Sequence, residues 1–140
     1  MSSDTPMALF VYGTLMSPLV VDKVLSALTK ENRAHKVTQD VILKGYRRHK
    51  VNGELYPAAV PYHDGEVIGA LIEGITTKEM EYLDKFEGDE YKRVSVTVLT
   101  GPEKTVTRCF VYEWIDGDDR LLEEDWVLDQ AQITRFLATF

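Results

Sequence analysis

The chain has 140 residues, 44% of them hydrophobic, with 16 Lys+Arg against 23 Asp+Glu for a formal net charge of -7. One globular domain over 1–140 is the expectation, and the charge argues against nucleic acid or an anionic membrane as the main partner. No apolar segment approaches membrane-spanning length, and the single cysteine, Cys109, excludes an internal disulfide and fits a reducing compartment, the cytoplasm.

Residues 1–7 are polar and proline-containing and read as a loose tail, without the charged start and apolar run of a secretion signal. Ala8, Leu9, Phe10, Val11 and Tyr12 form a short apolar, aromatic run of strand character, ended by Gly13. Ser17-Pro18 then supplies an N-cap followed by proline at the first helical position. A strand, a glycine turn and a helix start thus fall close together, and N–H groups in such a loop are free to face an anion or a developing oxyanion. A tight turn with no ligand fits the same pattern. Val20, Val21, Val24, Leu25 and Leu28 recur at helical spacing and predict an amphipathic helix fading near Lys30.

Lys36 to Tyr46 reads as a strand, with Val37, Val41 and Leu43 on one face, leading into the basic cluster Lys44, Arg47, Arg48 and Lys50. Asn52-Gly53 predicts a tight hairpin in which His49-Lys50-Val51 pairs with Glu54-Leu55-Tyr56. His63-Asp64-Gly65 predicts a second turn before a central strand over Glu66 to Ile75. Thr76 with Glu79 forms a capping-box signature, so a helix is expected from Thr77, burying Met80, Leu83 and Phe86 and stopping at Gly88. Tyr91 to Leu99 and Thr105 to Trp114 read as paired strands around Gly101-Pro102. A last helix is expected from Glu123, carrying Trp126, Ile133, Leu137 and Phe140. Strands outnumber helices and hairpins dominate, which predicts an α+β fold: a mostly antiparallel, strongly curved sheet or small barrel with helices packed outside.

Several chemistries leave no trace. There is no G-x-S-x-G elbow, no Walker lysine pattern and no G-x-G-x-x-G after the first strand. His35, His49 and His63 stand far apart, as surface or turn residues do, and no metal or cofactor is expected. Cys109, inside an apolar strand, reads as a small buried hydrophobe. Asp116 to Asp119 resembles a calcium loop in charge alone, because Leu121 and Val127 stand where an EF-hand needs glycine and glutamate. Glu87 differs from the other acids. At the last turn of a helix, where unsatisfied carbonyls disfavour a carboxylate, and screened by Phe86, Leu83 and Tyr91, it has the setting of a general base with a raised pKa. A solvated helix-end glutamate is the alternative.

FVYGTLM near the N-terminus, YPAAV after the hairpin and LDKFEGDEYKR beyond the central strand stand in order between Ala8 and Trp114. Together they resemble the gamma-glutamylcyclotransferase-like family, in particular its short plant-type members named after an avirulence-induced gene. The resemblance implies a small mixed barrel with flanking helices and a substrate loop at Tyr12, Gly13, Thr14, Leu15, Met16 and Ser17. It also implies a general-base glutamate at Glu87, with Tyr91 as a further substrate contact. Thr14 stands where many members have serine. The implied activity is a cofactor-free intramolecular acyl transfer that releases 5-oxoproline and a free amine from a small gamma-glutamyl substrate. Glutathione, a gamma-glutamyl amino acid and a gamma-glutamyl-lysine isopeptide all fit that chemistry. Arg47 or Arg48 offers a partner for the substrate carboxylate or is a solvated strand end. The competing reading is a non-catalytic module binding the same ligands; a third is a regulatory protein that presents its acidic surface.

Overall fold

The structure, a computed structural model, describes residues 7–29 and 35–138. Five strands, β1 (Met7–Val11), β2 (Lys36–Lys50), β3 (Pro57–Ile75), β4 (Tyr91–Thr100) and β5 (Thr105–Trp114), close into a barrel in the order β1-β3-β2-β4-β5. Neighbours run antiparallel except β1 and β5, which pair in parallel with Leu9 opposite Phe110 and Phe10 opposite Val111. Helices α1 (Pro18–Thr29), α2 (Thr77–Glu87) and α3 (Gln130–Ala138) complete the described fold. This is the mostly antiparallel α+β barrel that the strand pattern predicts.

Alternation along β1 divides the core in two, because successive strand side chains point to opposite faces. Phe10 and Tyr12 turn into the barrel, where they meet Val41, Leu43, Ala59, Val67, Leu71, Val98, Cys109 and Val111. Leu9 and Val11 turn outward, against Val20, Val21, Val24 and Leu25 of α1 and Met80 and Leu83 of α2. One strand therefore ties the barrel interior to the helical layer and ends at the loop that carries Gly13. Cys109 is buried, as its apolar surroundings predict, and burial pushes its thiol up to about 12.

The capping box of α2 is present in both directions. Thr76 Oγ1 accepts from Glu79 N at 3.1 Å, and Glu79 Oε1 accepts from Thr76 N at 3.0 Å. Gly88, with φ of 79°, ends the helix in a conformation that costs other residues more. Thr76→Ala is expected to lower the unfolding free energy by about 1 kcal/mol, the usual loss for an N-cap. A lower denaturant midpoint at unchanged slope would register it.

Several sequence expectations are corrected here. His35 is not on the surface: its Nε2 lies 2.9 Å from Glu79 Oε2, and both side chains are 1% exposed. His49 is half-buried with Nδ1 2.8 Å from the Leu122 carbonyl, while His63 is exposed as expected. The arms of the Asn52-Gly53 hairpin are longer apart than predicted, because pairing stops at Lys50 opposite Pro57 and residues 54–56 are not strand. Beyond that point the Lys50 and Asn52 N–H groups donate to the Glu124 and Arg120 carbonyls, so a later segment replaces the predicted second arm. His63-Asp64-Gly65 does not break the chain into two strands. The ladder passes from Lys44 opposite Glu66 to Tyr46 opposite Pro61, so 62–65 bulge from one continuous β3. A second irregularity, between Thr38 and Val41, puts Val37 against the helices while Val41 and Leu43 face the interior. The last helix starts at Gln130, not Glu123, with an Asp129–Gln132 capping box of its own, and Trp126 is buried on an extended segment instead. Ile133 and Leu137 pack on the outer core, and Met7, expected to close the tail, opens β1 opposite Ile75, whereas residues 1–6, the Leu28 side chain and Phe140 lie outside the described residues.

Candidate active site

Where β1 ends, the chain makes a single 3-10 turn over Thr14–Met16 before entering α1. Its bonds run from Met16 N to the Gly13 carbonyl and from Ser17 N to the Thr14 carbonyl, both 3.0 Å. The N–H groups of Thr14 and Leu15 come first in the turn and find no acceptor within it. Gly13 has φ of -119°, so the loop does not need glycine for a left-handed backbone. A side chain there would be crowded instead: a Cβ would stand 3.1 Å from Pro57 Cδ and 3.3 Å from Cγ.

The turn borders a cavity of 280 Å³, lined from the first strand and its loop by Phe10, Val11, Tyr12, Gly13, Thr14 and Leu15. Tyr56 and Pro57 enter it from the start of β3, Phe86 and Glu87 from the end of α2, and Glu90, Tyr91 and Tyr112 from the sheet side. Of the residues singled out in the sequence, Tyr12, Gly13, Thr14, Leu15, Glu87 and Tyr91 meet here. Met16 and Ser17 do not line the cavity. Met16 packs on the outer core, and the Ser17 carbonyl accepts from Val20 N and Val21 N to start α1. Tyr56, Pro57, Glu90 and Tyr112 were not singled out, although YPAAV and LDKFEGDEYKR contain the first three; nothing local distinguishes Tyr112 from its strand neighbours.

The cavity holds two carboxyl groups in opposite electrostatic settings. Burial pushes Glu87 from 4.5 up to about 7, and among the described residues none donates a hydrogen bond to hold its anion. Glu90 goes the other way, its carboxyl lowered chiefly by Arg120, whose Nη1 donates to Oε2 at 2.8 Å, while Tyr56 O–H donates to Oε1 at 2.9 Å. Arg120 also pairs with Glu54 and Asp116, so it gathers part of the acidic loop into a structural network. The remaining phenols are committed as donors: Tyr91 to the Pro57 carbonyl at 2.7 Å, Tyr112 to Asp84 Oδ1 at 2.7 Å, and Tyr12 to the Tyr112 carbonyl. Burial raises the Tyr12, Tyr91 and Tyr112 pKa values, so neutral aromatic walls face Glu87.

Neither arginine of the basic cluster lines the cavity. Arg47 donates to the Glu123 carbonyl at 2.9 Å. Arg48 is 12% exposed and its Nε, Nη1 and Nη2 all donate to protein acceptors, which removes both of its sequence readings, a carboxylate partner and a solvated strand end. Among the described residues no His, Cys, Asp and Glu side chains form a metal-binding group, and no helix is long and apolar enough to cross a membrane.

The closed barrel thus sets the buried Glu87 carboxyl and the Gly13 loop in one cavity. The chain belongs to the family described as gamma-glutamyl cyclotransferase, AIG2-like, whose model matches residues 9–128. It is 33% identical to AIG2-like protein B of Arabidopsis thaliana over 131 residues, which covers 92% of this chain and 72% of that protein. A solution structure of another Arabidopsis thaliana protein, 29% identical, matches with a TM-score of 0.72 over 99% of this chain and 87% of that one. A gamma-glutamyl cyclotransferase structure, 15% identical, shares the fold, with a TM-score of 0.64 over 79% of this chain and 68% of that chain.

Proposed function

We propose that this protein is a gamma-glutamylcyclotransferase that converts a gamma-glutamyl compound to 5-oxoproline and a free amine, with Glu87 as general acid and base. The supporting observation is the Glu87 carboxyl, raised to about 7 in a cavity that it shares with the Gly13 loop. Two carboxyls whose surroundings drive their pKa values apart divide naturally into a titrating group and a fixed anion, and Glu87 is the one that titrates near neutrality.

The substrate brings its own nucleophile, the α-amine, which is mostly ammonium near neutral pH because such amines have pKa values of about 8. Ionised Glu87 removes a proton, and the freed amine attacks the gamma-carbonyl to form the five-membered ring. The N–H groups of Gly13, Thr14 and Leu15 serve the substrate carboxylate or the oxyanion. Collapse of the tetrahedral intermediate breaks the bond to the leaving nitrogen, which takes a proton from the Glu87 carboxylic acid; the carboxylate so regenerated removes the second proton from the ring nitrogen and passes it to the freed amine, which departs as ammonium. Enclosure in the cavity holds amine and carbonyl in contact, the entropic part of the acceleration. Tyr91 and Tyr12 keep their protons and shape the walls, and the Tyr91 hydroxyl oxygen, whose proton goes to the Pro57 carbonyl, can still accept from a substrate N–H group.

A mass-spectrometric screen of gamma-glutamyl compounds for 5-oxoproline release tests the activity, and its pH dependence tests the base. Deprotonated Glu87 is the active form, so kcat/KM should fall below pH 7 by about tenfold per unit. A rate that holds level down to pH 5 would remove Glu87 from the mechanism.

A further inference from the structure

We propose that Arg48 is a positioning residue that locks the Tyr12–Gly13 peptide, with residues 125 and 126 as its brace. Its Nη1 donates to the Tyr12 carbonyl at 3.1 Å and to the Ile68 carbonyl at 3.3 Å. On its other edge, Nε and Nη2 donate to Asp125 Oδ1 and Oδ2 at 2.7 and 3.3 Å. The guanidinium lies 5.9 Å from the centroid of the Trp126 ring, and Trp126 is anchored in turn by an Nε1–H bond to the Leu55 carbonyl at 2.7 Å.

The Tyr12 oxygen matters because a peptide group is planar and trans: fixing the carbonyl on one side fixes the N–H of the next residue on the other. That next residue is Gly13, whose missing side chain leaves rotation of the whole peptide plane with little steric resistance. A flip would exchange a donor for an acceptor at a wall of the cavity, turning a place for an anion into one that repels it. A side chain at position 13 would crowd Pro57, so with glycine there rigidity has to come from elsewhere, and a planar fork with fixed donors supplies it better than a flexible point charge. The 120–126 segment thus reaches the site without lining it. Lys50 and Asn52 pair with its backbone, and Asp125 aims the arginine. The catalytic consequence rests on the activity proposed above; the lock itself does not.

The test uses Arg48→Lys and Arg48→Ala in the full chain, with Arg47→Lys as control, since Arg47 is bound to the same segment at Glu123 but does not touch the loop. The Gly13 amide resonance is followed by NMR beside 5-oxoproline affinity and kcat at saturating substrate. Arg48→Lys should shift or broaden the Gly13 amide and lower kcat by roughly tenfold to a hundredfold, with the pH midpoint still near 7, while Arg47→Lys leaves kcat within twofold. Asp125→Asn should produce part of the loss, and adding it to Arg48→Lys should cost nothing more, because both act through one contact. Added guanidinium should restore part of the kcat of Arg48→Ala, a gain that a general loss of packing would not give. An unaltered Gly13 amide overturns the lock, and an altered amide with wild-type kcat overturns its catalytic role. If the wild type turns over no gamma-glutamyl compound, the activity fails by itself; the Gly13 amide then decides the lock alone.

Discussion

Glu87→Gln is expected to cut turnover by roughly a hundredfold to ten-thousandfold, the range for losing a positioned acid-base group, while 5-oxoproline still binds. Glutamine keeps the shape and hydrogen-bonding reach of the side chain but cannot accept a proton from the amine. The same substitution should stabilise the fold, and the sign follows from burial. Folding raises the Glu87 pKa from 4.5 to about 7, so the folded state favours the protonated acid, and ionising it there costs stability as pH rises through that window. Below pH 4.5 the carboxyl is neutral in both states and the cost is absent. Above pH 7 the cost is complete, about 3 kcal/mol at most, and the glutamine variant escapes it. Denaturant midpoints at pH 8 and pH 4 should therefore differ from wild type at the first and agree at the second. Wild-type turnover in the variant would eliminate Glu87 as the base; ligand binding by a wild type that releases no 5-oxoproline would favour the binding module.

Gly13→Val should abolish measurable 5-oxoproline binding, a loss of at least about a hundredfold in affinity. The first added carbon would stand 3.1 Å from Pro57 Cδ, and the two methyls of valine have to find room beyond it. Pro57 is a stiff ring, and its carbonyl holds the Tyr91 hydroxyl at 2.7 Å, so relief by moving Pro57 disturbs Tyr91 as well. Gly13→Ala, with only the first carbon, should lose less. Titration calorimetry on the folded variants measures both, and undiminished binding by Gly13→Val would move the ligand to another part of the molecule.

What the sequence disclosed were the features whose causes are local. The capping box at Thr76 and Glu79, the stop at Gly88, and the alternation of Val94, Val96 and Val98 are written within one element each, and the structure contains them. The burial of His35 is not legible in its own stretch, because it depends on Glu79, 44 positions along the chain. The same limit hid the role of Arg48, whose four acceptor atoms belong to Tyr12, Ile68 and Asp125. Trp126 misled for a different reason: its bulk fitted a helical stripe, while the Asp129–Gln132 cap that marks the true start was in view. At the site, Gly13 and Glu87 stood out by turn and helix-end chemistry. Tyr56, Glu90 and Tyr112 gain their places from barrel closure, which no short stretch of sequence encodes.

The parallel seam between β1 and β5 also sets the order in which the molecule can be built. Leu9 and Phe10 wait for Phe110 and Val111, partners separated from them by most of the chain, so barrel closure brings a large loop-entropy cost that local helices and the β4–β5 hairpin avoid. During synthesis the N-terminal strand emerges first but cannot complete its neighbours until β5 has left the ribosome. The Gly13 loop hangs from that strand, so the cavity is a late product of folding, and a nascent chain halted before residue 110 would carry its whole glycine motif without the enclosure that the motif borders.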